Sequence, residues 1–470
     1  MQWEQLLCRH RRRMTGTSQN GSMDLRSEFE KDYHRIIESA SFRRLQDKTQ
    51  VFPLDKSDFI RTRLTHSLEV SSFGKSLGQN IGEKILEEGK DPAFTGRMKE
   101  EISSILQCAG LIHDIGNPPF GHFGEEAIRE WFSKHLAVIM VKGRPLAEIL
   151  TPQMREDFYH FEGNAQALRL VTRLHYLVDE NGMNLTYALL NTIIKYPGSS
   201  LEMQPDSCDV KKRKIGYYLA DEEIFREVTT ATGARKNRHP LTYILEAADD
   251  LAYLTADIED AFIKGFISYH QMKKELERLE ASEPANSFLP AGMLEHYYQR
   301  GLEKAAGNPE EYAVKNWIVR LQSFFIQRAT EGFLEHYDAI MEGSYCEDLF
   351  YGTAAEPLLN LLGDMAYRYV FSSEAIYKME AAESVILNFL LDRFVNAIIY
   401  YDTEYTLRPM DKRMVSFISD NYKKAYQLQA GGKNETEKLY LRLLLVTDYI
   451  CGMTDSYAKR LYQELNAMME

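Results

Sequence analysis

Apolar residues recur along most of the chain at steps of three and four. In 101–112, Ile102, Ile105, Leu106, Ala109 and Ile112 form one stripe of an amphipathic helix. Residues 241–263 repeat the pattern with Leu241, Ile244, Leu245, Ala248, Leu251, Ala252, Ile258 and Phe262. The same spacing predicts long helices over 64–88, 161–179, 311–342, 373–401 and 435–468. Strand-like alternation is scarce; 185–196 and 214–219 are its best candidates and would make one small β-hairpin. Breaks rich in Gly, Pro and polar residues fall at 89–97, 116–121, 197–210, 282–292 and 429–437. None is long enough to be a free linker, and no internal repeat is evident. The pattern predicts an all-α protein with a core of residues 1–280 and a helical C-terminal lobe, 281–470, packed on it.

Composition narrows the class. With 44% hydrophobic and 27% charged residues over 470 positions, the chain has a globular make-up and is too long for one compact core. No run approaches 18 apolar residues, so no bilayer-spanning helix is expected. The stretch MQWEQLLCRHRRR lacks the apolar segment of a signal peptide, so export is not expected. Cys8, Cys108, Cys208, Cys346 and Cys451 lie far apart without a C-x-x-C pair, which suits reduced thiols in a cytoplasm. The net charge of −13 disfavours non-specific coating of nucleic acid. Residues 1–65 nevertheless hold 13 Lys and Arg against 9 Asp and Glu, a local +4 that leaves −17 on the remainder. A basic segment in an acidic protein suits either a confined anion site or an ordinary solvated face.

One string carries chemistry. In LIHDIGNPPFGHFGEE (111–126) an apolar helix runs into His113-Asp114 and is stopped by Gly116 and Pro118-Pro119. A neutral nitrogen and an anionic oxygen side by side at a helix end are metal-ligand types. A helix-ending His beside a solvated Asp is the plainer alternative. His66, flanked by Leu64 and Leu68, and Asp249, on a helix with a small apolar face, change that weighting. A carboxylate at the edge of such a face is costly unless it is paired or holds a cation. In order, spacing and context, His66, His113-Asp114 and Asp249 resemble the H…HD…D arrangement of the HD phosphohydrolase superfamily, over about residues 30–265. Within it, the chain resembles the deoxyguanosine triphosphate triphosphohydrolases. The strings that carry this are SFRRLQDKTQVFPL (41–54), TRLTHSLEV (62–70), GLIHDIGNPPFGHFGEEA (110–127), HFEGNAQALR (160–169), EAADDLAYLTADIEDA (246–261) and TDYICGMTDSYAKRLYQEL (447–465).

The resemblance implies an HD-domain helical core and a C-terminal lobe that completes the nucleotide pocket and makes oligomer contacts. It implies that His66, His113, Asp114 and Asp249 ligate one divalent metal ion, Mn²⁺ or Mg²⁺ foremost, with Fe²⁺ or Zn²⁺ as alternatives; two imidazoles suit Mg²⁺ least. His122 and Glu125 are the implied acid/base pair, and their spacing of three puts both on one helix face. A helix-capping interaction is the alternative for that pair. Tyr253 and Asp257 follow Asp249 at steps of four. The resemblance implies that Tyr253 packs on the deoxyribose, leaving no room for a 2′-hydroxyl, and that Asp257 accepts from the 3′-hydroxyl; a structural Tyr–Asp pair is the alternative. Arg63, Asn164, Lys195, Tyr196 and Lys214 resemble polyphosphate contacts, and Gln50 a sugar or base contact. Arg460, with Asp455, resembles part of a C-terminal element at the base pocket.

The implied reaction is hydrolysis of dGTP, with other deoxynucleoside triphosphates as further substrates, to the deoxynucleoside and tripolyphosphate. It would serve nucleotide-pool control in a cytoplasmic homo-oligomer, a hexamer or tetramer. His122 is left with two roles, orienting the attacking water or protonating the leaving 5′-oxygen. Single-stranded DNA or a dNTP is left open as an effector. Two other classes compete: an HD phosphodiesterase on another nucleotide, and a nucleotide or single-strand-binding sensor without turnover. The Tyr253–Asp257 stripe and the His122–Glu125 pair argue against the first, and an intact ligand set argues against the second.

Overall fold

The computed structural model describes residues 1–13, 24–52, 60–175, 179–283 and 288–467. Residues 53–54 of the first family-like string, 176–178 of the helical pattern 161–179, 284–287 of one break and residue 468 lie outside the described residues. The helices that build the site are α1 (Arg63–Glu88), α2 (Gly96–Ile112), α3 (Gly121–His135), α4 (Gly163–Arg169) and α5 (Tyr187–Thr192), followed by α6 (Pro240–Ile263), α7 (Pro309–Glu335), α8 (Glu374–Ile398), α9 (Glu435–Cys451) and α10 (Asp455–Leu465). The fold is all-α, as the apolar period predicts, and among the described residues no helix is long and apolar enough to cross a membrane.

Local chemistry sets the boundaries. Thr62 caps α1 in a reciprocal box with Thr65, and Gly89 ends the helix in the left-handed region at φ 60°. Gly74, Gly78 and Gly82, at steps of four, let α1 lie directly on α2; a Cβ on Gly78 would stand 2.8 Å from Leu106 Cδ1. Pro240 starts α6 where its missing N–H costs nothing, and His239 caps the Leu241 N–H. The buried face of α6 is small, with Ala247, Ala248, Ala252 and Ala256, so neighbouring helices approach closely.

The hairpin lies elsewhere than the alternation suggests. Among the described residues the one sheet pairs β1 (Met140–Val141) with β2 (Arg144–Pro145) across Lys142 and Gly143, both with positive φ. Residues 185–196 instead contain α5, buried at every position, and 214–219 form no strand. A short apolar run buried on all sides has no period with which to separate strand from helix. The 435–468 pattern also divides at Gly452 into α9 and α10.

The C-terminal helices pack back on the first half of the chain. α7 lies against α1 and α6, α8 against α3, and α9 against α8. Trp131 Nε1 of α3 donates to Asp392 of α8 at 2.8 Å. Every residue from Leu439 to Cys451 is buried, including Asp448. That carboxylate is held by Arg169 of α4 through two bonds of 2.8 Å, and Arg169 also reaches Asp221 and Gln429. Both charged groups are essentially inaccessible, so each is tolerable only with the other in place. Asp448→Ala is therefore expected to cost about 3 kcal/mol, since it leaves the Arg169 guanidinium only the longer contacts to Asp221 and Gln429. The shift in the urea unfolding midpoint at constant slope measures it, and a shift under a quarter of that size would contradict the account.

Candidate metal centre and active site

The apolar stripe of α2 sinks Ile102, Ile105, Leu106, Ala109 and Ile112 completely, and this burial fixes the direction of His113 at the helix end. His113 Nδ1 lies 2.8 Å from the Gly110 carbonyl, an acceptor, so Nδ1 carries the proton and Nε2 keeps a bare lone pair. Nε2 finds no hydrogen-bond partner among the described residues and stands 3.3 Å from Asp249 Oδ1 of α6. His66, on the first turns of α1, brings its Nε2 within 3.2 Å of the same oxygen. The two rings meet edge to face, 5.3 Å between centroids. Ligand atoms of His66, His113 and Asp249 all lie within 4.8 Å of one another. A ring nitrogen without a hydrogen-bond partner and a carboxylate oxygen 3.3 Å away fit a cation between them, and the Gly110 carbonyl is the outer partner that orients such a ligand. The donor set fits a divalent metal.

Asp114 stands beside this group rather than in it. Its Oδ2 is 3.7 Å from His113 Nε2 and is bound by Arg63 Nη1. Burial works against its ionisation, but His113 and Arg63 hold it well below the usual carboxylate range. Asp249 is held below that range too: burial opposes, and Lys195 and His113 prevail. Lys195 Nζ donates to Asp249 Oδ2 at 2.8 Å.

His122 and Glu125 open α3. Phe120 and Gly121 precede them with φ of 66° and 60°, a tight entry imposed by Pro118-Pro119. No side chain caps α3. The capping alternative therefore fails, and His122 Nδ1 instead lies 3.2 Å from Glu125 Oε2. Glu125 is buried and its Oε1 accepts the Gly163 N–H at 2.8 Å, while neighbouring Glu126 is exposed. Gly163 has no room for a side chain, since a Cβ would collide with Asn117 Oδ1 and Glu125 Oε1. The bond to Glu125 raises the His122 pKa above the ordinary imidazole value.

Of these groups His66, Asp114, Asp249 and His122 line one cavity of about 530 Å³, together with Gln50, Arg63, Asn164, Lys195, Tyr196, Lys214 and Tyr253, while His113 and Glu125 stand buried behind them. That volume suits a nucleotide-sized ligand. Glu162, buried, was not singled out from the sequence although it sits in the FEGN string; its Oε1 holds both Asn164 Nδ2 at 2.8 Å and Lys214 Nζ at 3.1 Å. The far wall comes from Phe371, Ile376, Glu380 and Glu383, which no local pattern marks.

Asp257 is buried next to Tyr253 and Asp260, one turn beyond the cavity-lining Tyr253, and neither of its carboxylate oxygens has a hydrogen-bond partner among the described residues. One expectation is corrected. Arg460 is exposed, stacked over Tyr457 and 3.9 Å from Glu464. The face that α10 buries carries Asp455, Ala458 and Leu461, and Arg460 lies outside it.

A helical protein with paired buried imidazoles and a half-buried carboxylate opening on a cation-lined cavity belongs to the metal-dependent phosphohydrolases of HD type. The HD domain family matches residues 63–186, and the phosphohydrolase-associated domain matches 352–464. The chain is 51% identical, over the whole of both sequences, to the deoxyguanosinetriphosphate triphosphohydrolase-like protein of Listeria monocytogenes, and 34% identical to that of Synechocystis. It is 32% identical to the deoxyguanosinetriphosphate triphosphohydrolase of Yersinia pestis, covering 93% of this chain and 94% of that one. The chain belongs to the deoxyguanosinetriphosphate triphosphohydrolase family.

His113→Ala and Asp249→Asn are each expected to lose bound divalent metal while keeping the helical circular dichroism spectrum. Metal content by mass spectrometry checks this, and full occupancy in either variant would refute the donor set. A second expectation concerns protons. Glu125 stabilises the imidazolium of His122, so the ring keeps its proton to a higher pH than a free imidazole does. Glu125→Gln should lower the midpoint of the His122 resonances in ¹³C-histidine NMR; an unmoved midpoint would separate the two side chains.

Proposed function

We propose that the protein hydrolyses deoxynucleoside triphosphates, dGTP foremost, to the deoxynucleoside and tripolyphosphate. The observation that carries this reading is one cavity lined by His66 and Asp249 of the His66–His113–Asp249 group, by Arg63, Lys195 and Lys214, and by His122, with Glu125 behind it. His66, His113 and Asp249, with Asp114 adjacent, would hold the metal. When bound, that ion supplies Lewis-acid charge to a phosphate oxygen. Arg63, Lys195 and Lys214 neutralise the polyphosphate. His122 delivers its proton to the 5′-oxygen as that oxygen leaves the α-phosphorus. Water forms the new bond to phosphorus and sheds its own proton to solvent. Glu125 keeps the imidazole oriented and charged for this step. Tyr253 borders the sugar position and excludes a 2′-hydroxyl.

Guanine preference is supported by Glu383, 3% exposed, whose two oxygens have no partner among the described residues. Burial, with Asp455 and Glu380 nearby, pushes the Glu383 pKa up to about 8, and the N1–H and amino group of guanine would favour the ionised form by donating to both oxygens. The same wall supports a division into a catalytic core, 1–280, and a lobe, 281–470, that completes the pocket. Exposed Tyr367, Tyr377 and Val385 along the lobe support self-association into the homo-oligomer of the family.

Incubation with each of the four dNTPs and GTP in Mn²⁺, resolving tripolyphosphate from pyrophosphate, tests the reaction. Tripolyphosphate from dGTP and little from GTP is expected; monophosphate and pyrophosphate would overturn it. Glu383→Gln replaces an acceptor pair by one acceptor and one donor, which matches adenine. The ratio of kcat/KM for dGTP over dATP is expected to fall at least tenfold, the scale of one buried unpaired polar group.

A further inference from the structure

The corner between α9 and α10 is bonded to the loop that delivers His122. Asp455, the first residue of α10, is 2% exposed. Its Oδ1 accepts the Phe120 N–H at 2.9 Å. Its Oδ2 accepts the Thr49 N–H at 2.8 Å and the Thr49 hydroxyl. Lys48, also buried, donates from Nζ to the Asn117 carbonyl and to the Cys451 carbonyl, each at 2.6 Å. The segment 117–120 is thus tied at both ends to the corner, at Asn117 through Lys48 and at Phe120 directly by Asp455, whose second oxygen is held by Thr49.

The tie falls where the backbone needs one. Phe120 adopts φ 66° and ψ 17°, a left-handed conformation that a phenylalanine disfavours, and glycine at 121 continues it. Phe120 is 4% exposed, so its N–H requires an acceptor inside the protein. Phe123, the residue of α3 placed to reach back to that N–H, has no acceptor on its side chain. Asp455 supplies it from the other end of the chain. His122 follows two residues later.

We propose that Asp455 is a positioning residue for hydrolysis: it holds Phe120 and Gly121 in the left-handed turn that aims His122 into the cavity. Lys48 fixes the Asn117 end of the same loop. The inference rests on the reading of His122 as the proton donor. It gives the C-terminal segment 447–460 a part in the reaction although that segment supplies no group to the substrate.

The test uses the full-length metal-loaded enzyme and tripolyphosphate release from dGTP. Asp455→Ala is expected to lower kcat at least tenfold, with metal content and the melting transition retained. Asp455→Asn keeps an oxygen for the Phe120 N–H and should fall between the alanine variant and the parent. In the His122→Ala background Asp455→Ala should cause little further loss, because a misplaced donor matters only while there is a donor. In the Phe120→Gly background the loss should also shrink, since glycine holds the turn without a tether. Should the alanine variant lose cooperative melting, the near-isosteric asparagine variant carries the same comparisons. A kcat within threefold of the parent in both Asp455 variants, or an undiminished loss in the His122→Ala background, would overturn the inference. A parent that releases no tripolyphosphate from any dNTP would defeat the functional reading, and the inference with it. An active parent indifferent to Asp455 would defeat only the inference.

Discussion

Asp249 is the charge around which the site is assembled. It interrupts the small apolar face of α6, and a carboxylate there costs several kcal/mol unless opposite charge or hydrogen bonds meet it. His66 from α1, His113 from α2 and Lys195 from the segment after α5 all reach its two oxygens. Three separate elements are thereby pinned to a single point. The glycine stripe of α1 and the alanine face of α6 are the packing counterpart, since only small residues bring these helices close enough. Polar geometry and backbone approach therefore depend on each other: a wider gap would leave two buried imidazoles and a half-buried ammonium short of their partner.

The site also has a gradient of solvent access. The His122 side chain is 73% exposed, whereas Glu125, its partner, is 1% exposed. Burial raises the energy of the ionised Glu125, and the contact with His122, with Lys214 and Arg129 beyond, more than offsets it. The acid that tunes the pair is sheltered, and the base that exchanges protons faces the cavity. Glu162 extends the arrangement sideways by holding Asn164 and Lys214, and burial pushes its own pKa up.

Much of this was legible in the sequence because the determinants are local. The 3.6-residue apolar period marks α1, α2, α6 and α8, and His113-Asp114 announces itself by ending an apolar helix before two prolines. His122 and Glu125 are paired by a spacing of three. Misreadings arose where no local rule applies. α5 is apolar on every side, so its period is silent. Arg460 and Asp455 share one short string, and only packing reveals which of them faces inward. Glu383, Glu162 and Lys48 are ordinary polar residues until distant helices bury them.

The cavity is walled by residues from Thr49 to Glu383, and the loop at its mouth is tied to Asp455. During synthesis the chain has all of His66, His113 and Asp249 once α6 has emerged. The far wall from α8 and the tether from α10 come from later stretches of the chain. Possession of the metal group and possession of the nucleotide chamber are thus written into different parts of the sequence, and a substitution in the later helices can spoil the chamber while leaving the imidazoles and carboxylate in place.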